Sequence, residues 1–501
     1  MNKADFDVLI VGAGISGISM AVHLKRECPD HSFAMLEARA DLGGTWDLFR
    51  YPGVRSDSDM YTLGFDFEPW RQDESIARGE TILAYLNRVV DDYGVRPHIR
   101  LNHRVIRAAW SSADALWALM VDDGTGQHKR ITARYLSMGS GYYDYAAGHN
   151  PDFAGREDFG GAIVHPQFWP QDLDYTGKRV VVIGSGATAV TLVPSMAHSA
   201  AHVTMLQRTP TYHIVAPSRD RLANLFRKIM PARWAYALTR FKNVQLQSLL
   251  YRRAKAKPAA VADYLITGVD KALGGRMNAA DWTPPYGPWD QRLCLVPDND
   301  LFDAISAGRA SVVTDTIERF DESGICLSSG RHLDADIIVT ATGLKVLLAG
   351  KVDFTIDGEP VHWPDHYFYK GAMVSNVPNL TMVFGYLNAS WTLKADIVAR
   401  YTCRVLNHMR GGGYDIATPV LRPEDAEADA VLFDFSSGYL QRATALMPRN
   451  GVRDPWRMSQ DFAADRLTLI NMPVQDGILR FSRASGDSER AAGQPSMQTE
   501  T

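Results

Sequence analysis

The chain changes its hydrophobic period twice in the same way. In DVLIVGAGISGISMAVHL, Asp7 to Val11 is an apolar run of strand length, and from Ile15 the apolar positions recur at helical spacing. KRVVVIGSGATAVTLVP repeats the switch. Val180–Ile183 reads as a buried strand, and helical spacing resumes beyond a glycine-rich turn. Each unit leads to another strand-like run: SFAMLE ending at Glu37, and HVTML running into Gln207, Arg208 and Thr209. A later strand, in LDADIIVTATGLKV, ends on Ala341, Thr342 and Gly343, small residues that let chain lie close to a cofactor. Repeated strand–turn–helix units predict an α/β fold with parallel sheets.

The turns carry the chemistry. Gly12, Gly14 and Gly17 form a GxGxxG turn. The first glycine permits a tight bend, the second lets backbone approach a pyrophosphate, and the third lets helix pack on strand. Free N–H groups at the helix start then face the phosphates. Glu37 is placed to bind ribose hydroxyls and repel a 2′-phosphate. In the second unit Gly184, Gly186 and Ala189 make the GxGxxA variant, and Arg208 stands where the first unit has its glutamate. A guanidinium offers a planar fork to a phosphate dianion; the alternative is a solvated strand-end arginine. The contrast predicts FAD in the first site and NADPH in the second, held by two Rossmann-like dinucleotide-binding domains. The expected order is a FAD-binding domain from 1–150 and 341–482, and an NADPH-binding domain with its linker from 151–217 and 286–340. A helical insert spans 218–285 and a disordered tail 483–501.

Length and composition narrow the class. A chain of 501 residues exceeds what one core supports, and 46% hydrophobic with 22% charged residues is ordinary for a globular enzyme. The net charge of −4 provides no overall basic field, which excludes nucleic acid as the main partner. Cys28, Cys294, Cys326 and Cys403 are scattered singly, against a zinc ribbon, a dithiol redox centre or a disulfide scaffold. No metal is expected. The start, MNKADFDVLIVGAG, passes into a strand with no signal core, and no run of about 18 apolar residues offers a membrane span, so the expected location is cytoplasmic.

The insert breaks the pattern. From Arg221 to Ala260 it holds ten arginines and lysines and no acid, with Leu, Phe, Trp and Tyr interleaved. A helical subdomain with a solvated basic face is expected. The alternative is an amphipathic surface resting on anionic lipid, giving peripheral membrane association.

Between the two glycine turns lies FGGAIVHPQFWP, residues 159–170, which fits FxGxxxHxxxWP through Phe159, Gly161, His165, Trp169 and Pro170. With the flanking turns in this order, the chain resembles the flavin-dependent Baeyer–Villiger monooxygenases, class B flavoprotein monooxygenases. GGTWDLFRYPGVRSDSDMY (43–61) and NASWTLKAD (388–396) look like the mycobacterial subgroup that includes the ethionamide-activating monooxygenase. The resemblance extends from the N-terminus to about Trp456. It implies that NADPH and O2 are used to insert one oxygen atom next to a ketone carbonyl through a C4a-peroxyflavin, giving an ester or lactone. Sulfides and thiocarbonyls are implied as further substrates, and the substrate class is a small apolar ketone or sulfur compound.

The resemblance also assigns residues. It puts Ser16, Gly44, Thr45, Trp46, Asp57 and Tyr61 at FAD, and Ala187, Thr188 and Thr209 with Arg208 at NADPH. It makes 159–170 a hinge rather than a proton carrier. Arg292, in GPWDQRLCLVP, matches the active-site arginine of the family, and Asp57 matches the carboxylate that positions it. A fixed cation beside an anionic peroxide is worth about 4 kcal/mol at ~4 Å with an effective dielectric near 20. The alternatives are a helix-capping aspartate for Asp57 and a surface ion pair for Arg292. Two positions depart from the family: Gln291 stands where lysine is common, and Pro166 where threonine is. Three rival classes share part of the pattern. They are a nitrogen- or sulfur-oxidising class B monooxygenase, a disulfide reductase (which needs a close cysteine pair, absent here) and a non-enzymatic flavin-binding module.

Overall fold

The computed structural model describes residues 3–426, 432 and 438–484. The first glycine turn opens from a nine-stranded sheet. Its centre is Phe6–Val11, parallel to Phe33–Leu36 on one side and His128–Met138 on the other. Val8, Leu9 and Ile10 are fully buried, as a central parallel strand covered on both faces must be. The sheet continues antiparallel through Leu116–Asp122 and Arg104–Ser111. Late segments join it: Asp353–Ile356 pairs with Arg104–Ser111 and Leu380–Met382 with His128–Met138, both parallel. Helix Ile15–Glu27 packs on the long helix Trp391–Gly412, where Ser19 Oγ donates to Asp396 Oδ1 at 2.6 Å. Both ends of the chain therefore build one sheet and its covering helices.

The second sheet has five strands, all parallel, in the order Ala310–Thr314, His202–Gln207, Arg179–Ile183, Ile337–Thr340 and Ala162–Val164. The chain passes to and from it through two adjacent segments. Tyr143–Gly148 runs antiparallel to Leu344–Val346, with Gly148 opposite Leu344. The stretch 159–170 lies at this crossing. His165 is buried. Its Nδ1 accepts from the Gln167 N–H at 3.2 Å, which leaves Nε2–H to donate to the Gly343 carbonyl at 3.2 Å. Burial holds the His165 pKa below the ordinary value, so the ring stays neutral in this clasp. Trp169 meets Tyr175 edge-on at 6.4 Å, on the side of the second core.

The insert folds as helices Arg221–Ile229, Ala232–Ala256 and Pro258–Ala272. Its ten basic residues divide. Arg240 is turned inward and donates to the carbonyls of Tyr61 and Gly64 at 2.9 and 2.7 Å, and to Asp396 at 3.3 Å. Arg227, Lys242, Arg252 and Lys255 pair with Asp73, Asp220, Asp461 and Asp290. Arg221, Lys228, Arg233, Arg253 and Lys257 stand exposed. A helix docked along one side must satisfy the cations on that side, and only the remainder can be solvated. Among the described residues no helix is long and apolar enough to cross a membrane. The expected tail, 483–501, lies outside the described residues beyond Ala484, which is itself buried and donates to Asp415 Oδ2.

Candidate active site

A cavity of about 510 Å³ opens where the two glycine turns approach one another. Gly12, Gly14, Ser16, Glu37, Gly44, Thr45, Trp46 and Asp57 line it from the first unit, Ala187 and Thr188 from the second, and Arg292 from the segment after the insert. Gly12 holds φ at +100°, and a side chain there would meet the Gly139 carbonyl at 2.7 Å. Gly44 is also left-handed (φ +59°), with room for a Cβ only 3.0 Å from the Gly14 Cα. Backbone thus approaches backbone, and the space left suits a pyrophosphate. Helices Ile15–Glu27 and Ala187–Met196 both begin at glycines, Gly14 and Gly186, with no capping side chain and no acid in the first turn. Their leading N–H groups are left for an anion. Glu37 is buried. One oxygen accepts from Ala13 N at 2.7 Å and the other from Arg39 N at 2.9 Å. Burial pushes its carboxyl up against the pull of those two bonds. Each oxygen keeps a lone pair for a ribose hydroxyl. These residues fit FAD.

Arg292 and Asp57 share the cavity wall, with Nη1 and Oδ2 3.9 Å apart and both side chains part exposed. That is an ion pair at its outer range rather than a hydrogen bond. Asp57 does not cap the neighbouring helix Met60–Leu63. Asp59 does so, accepting from Tyr61 N and Thr62 N. Cys294, two residues beyond Arg292, is buried, and burial pushes its thiol up to about 12, so it supplies no thiolate.

Other expected residues lie off the wall. Tyr61 sits in the core against Tyr236 of the insert, at 5.8 Å between rings, because Asp59 sets the turn that points it inward. Gly17 lies under the turn, where a Cβ would fall 1.9 Å from the Gly12 carbonyl. Gly184 is left-handed (φ +131°) and faces the Ala341 carbonyl, and Ala189 is fully buried. Arg208 is exposed just past His202–Gln207, beside the half-buried Thr209, whose carbonyl accepts from Ser185 Oγ at 3.3 Å.

Sequence reasoning gives several residues at or beside the wall no role, although Trp391 and Lys394 lie within NASWTLKAD. Trp391 donates to Ser16 Oγ at 2.7 Å and stacks on Tyr142 at 4.7 Å. Tyr145 lies 3.3 Å from Thr45 Oγ1. Tyr386 lines the cavity and donates at 2.6 Å to Asp465 Oδ2, the oxygen that also accepts from Lys394 at 2.7 Å. Lys394 and Asp465 are both buried. A lysine within an otherwise apolar helical face was the readable signal for this pair. The tyrosines follow no period.

Two nucleotide-binding turns opening on one cavity define a flavoprotein oxidoreductase that couples a nicotinamide to a flavin. The chain belongs to the FAD-containing monooxygenases. It is 48% identical over 480 residues to the FAD-containing monooxygenase EthA of Mycolicibacterium smegmatis, covering 95% of this chain and 97% of that one. A family model described as pyridine nucleotide-disulphide oxidoreductase matches residues 9–248. The fold is that of the Baeyer–Villiger monooxygenases. A steroid monooxygenase bound to NADP superposes with a TM-score of 0.75 at 23% identity, over 95% of this chain and 99% of that one. OTEMO in complex with FAD and NADP superposes with a TM-score of 0.69 at 23% identity, over 84% and 88%. FAD and NADP are the cofactors.

Proposed function

We propose that this monooxygenase inserts one atom of O2 next to the carbonyl of a small apolar ketone, giving an ester or lactone, and that it also oxidises sulfides or thiocarbonyls. The observation that carries this reading is Arg292 on the wall of the flavin cavity, within ion-pair range of Asp57. Bound FAD, reduced by NADPH, supplies the activation of O2. Arg292 keeps its proton at any working pH and stabilises the negative charge that builds on oxygen during attack on a carbonyl. Asp57 orients the guanidinium. Glu37 takes the ribose of FAD, while Trp391 and Tyr142 close the wall against water. Ala187 and Thr188 receive the phosphates of NADPH. Gln291 has no charge to offer, so Arg208 and Thr209 carry more of the 2′-phosphate recognition.

In the same reading the flavin domain comprises 1–150 with 341–482, and His165 clasps the two crossings as a hinge. Apolar substrates partition into bilayers, and peripheral membrane contact through the basic insert is included.

The test is NADPH consumption against linear, cyclic and aryl ketones beside a thioether, with products weighed. Ketone-dependent consumption with one oxygen atom gained is expected. Turnover of the thioether alone would replace the reading with a sulfur-oxidising one.

A further inference from the structure

The helical insert presents an apolar face that the described chain does not cover. Of seventeen large apolar side chains exposed among the described residues, nine fall between Leu222 and Tyr264. On the helix Ala232–Ala256, Trp234, Leu238, Phe241 and Leu249 follow at intervals of four, three and eight, which puts them on one side at a period of 3.6. Trp234 is 72% and Phe241 63% exposed. Tyr236, Thr239 and Arg240 occupy the docked side. On the preceding helix, Leu222, Leu225 and Ile229 likewise share one exposed side.

Positive charge accompanies this face. Arg221, Lys228, Arg233 and Arg253 are exposed on the same two helices. Beside the longer one, a groove of about 780 Å³ is lined by Arg26, Arg233, Arg400 and Arg466, and by Arg240, which is paired with Asp396. We propose that this face rests on an anionic lipid bilayer, its aromatic and leucine side chains entering the acyl boundary and its arginines meeting lipid phosphates. Charge selects the occupant. A second copy docked by the same patch would set basic surface against basic surface, with no acid between Arg221 and Ala260 to relieve it. This rests on the membrane contact included in the proposed function and names its face and its lipid.

The test is co-sedimentation of the FAD-loaded enzyme with phosphatidylcholine vesicles, with and without phosphatidylglycerol. Binding is expected at low ionic strength to the anionic vesicles only, falling as salt rises. A Trp234→Ser, Phe241→Ser double variant is expected to bind about tenfold more weakly or worse. It should keep its FAD and its NADPH oxidation with a water-soluble ketone, so folding and turnover are read apart from binding. Absence of sedimentation at low salt, or equal binding by the variant, overturns the proposal. So does self-association in sedimentation velocity that the double variant abolishes while vesicles stay unbound, because the face would then belong to a second copy.

Discussion

In the proposed reaction the chemistry turns on Arg292. Its guanidinium lies on the cavity wall, with Nη1 3.9 Å from Asp57 Oδ2. Replacing Arg292 by Ala should leave FAD content and flavin reduction by NADPH close to wild type. Product formation should fall about 10²–10³-fold, the usual loss when one charge-stabilising donor is removed. Stopped-flow reduction beside product assay checks this, and near wild-type ester yield would displace Arg292 from the active centre. Arg292 and Asp57 are picked out by the family resemblance of the motifs around them, and the fold puts both on the cavity wall. Tyr61 could not be placed: it is four residues from Asp57, but the Asp59 cap fixes the intervening turn and rotates its ring into the core. That rotation is a property of a three-dimensional turn, and no spacing along the chain encodes it.

At the scale of elements, the two glycine turns differ at their third position, Gly17 in the first and Ala189 in the second, and their glycines differ in what a side chain would meet. Gly17 sits inside helix Ile15–Glu27 with a Cβ position 1.9 Å from the Gly12 carbonyl. Gly17→Ala must push helix from strand, at a cost of about 1–3 kcal/mol or more, and FAD should be lost from the purified protein. Gly186 has φ −78° and ψ −177°, with nothing within 4 Å of its Cβ position. Gly186→Ala should change stability by less than about 0.5 kcal/mol, its effect confined to a higher KM for NADPH. Calorimetry, flavin absorbance and steady-state kinetics separate the two outcomes. The period switch announced both strands and both helices. Phe6–Val11 and Arg179–Ile183 extend the sequence reading by one residue each. An amphipathic surface on the insert is one of the sequence alternatives, but which side chains form it could not be read, because apolar residues fill both sides of that helix and only docking shows which side is covered.

Across the whole molecule, acid stability should carry the mark of one buried histidine. His213 lies against Trp282 and Phe302, at 5.2 and 6.0 Å between rings, and burial pushes its pKa down to about 4 from 6.5. The unfolded chain takes up this proton near pH 6.5 and the folded chain only near pH 4. Stability is therefore lost as pH falls through that window, by about 2 kcal/mol between pH 7 and 5. His213→Phe keeps an aromatic ring there and removes the titration, so its stability in urea should fall less over that range. An unchanged pH slope would mean that His213 is not the group responsible.

The sequence by itself determined the parallel strands, the glycine turns and the carboxylate at Glu37, because a strand-to-helix turn is a local object whose residue types are set by its own backbone. Tertiary structure alone decided that both turns open on one cavity, that Tyr386, Trp391 and the buried Lys394–Asp465 pair stand beside it, and that Arg240 faces inward while Trp234 and Phe241 face out. Those outcomes depend on which distant segments pack together, and side-chain burial is set by the partner surface rather than by neighbours along the chain.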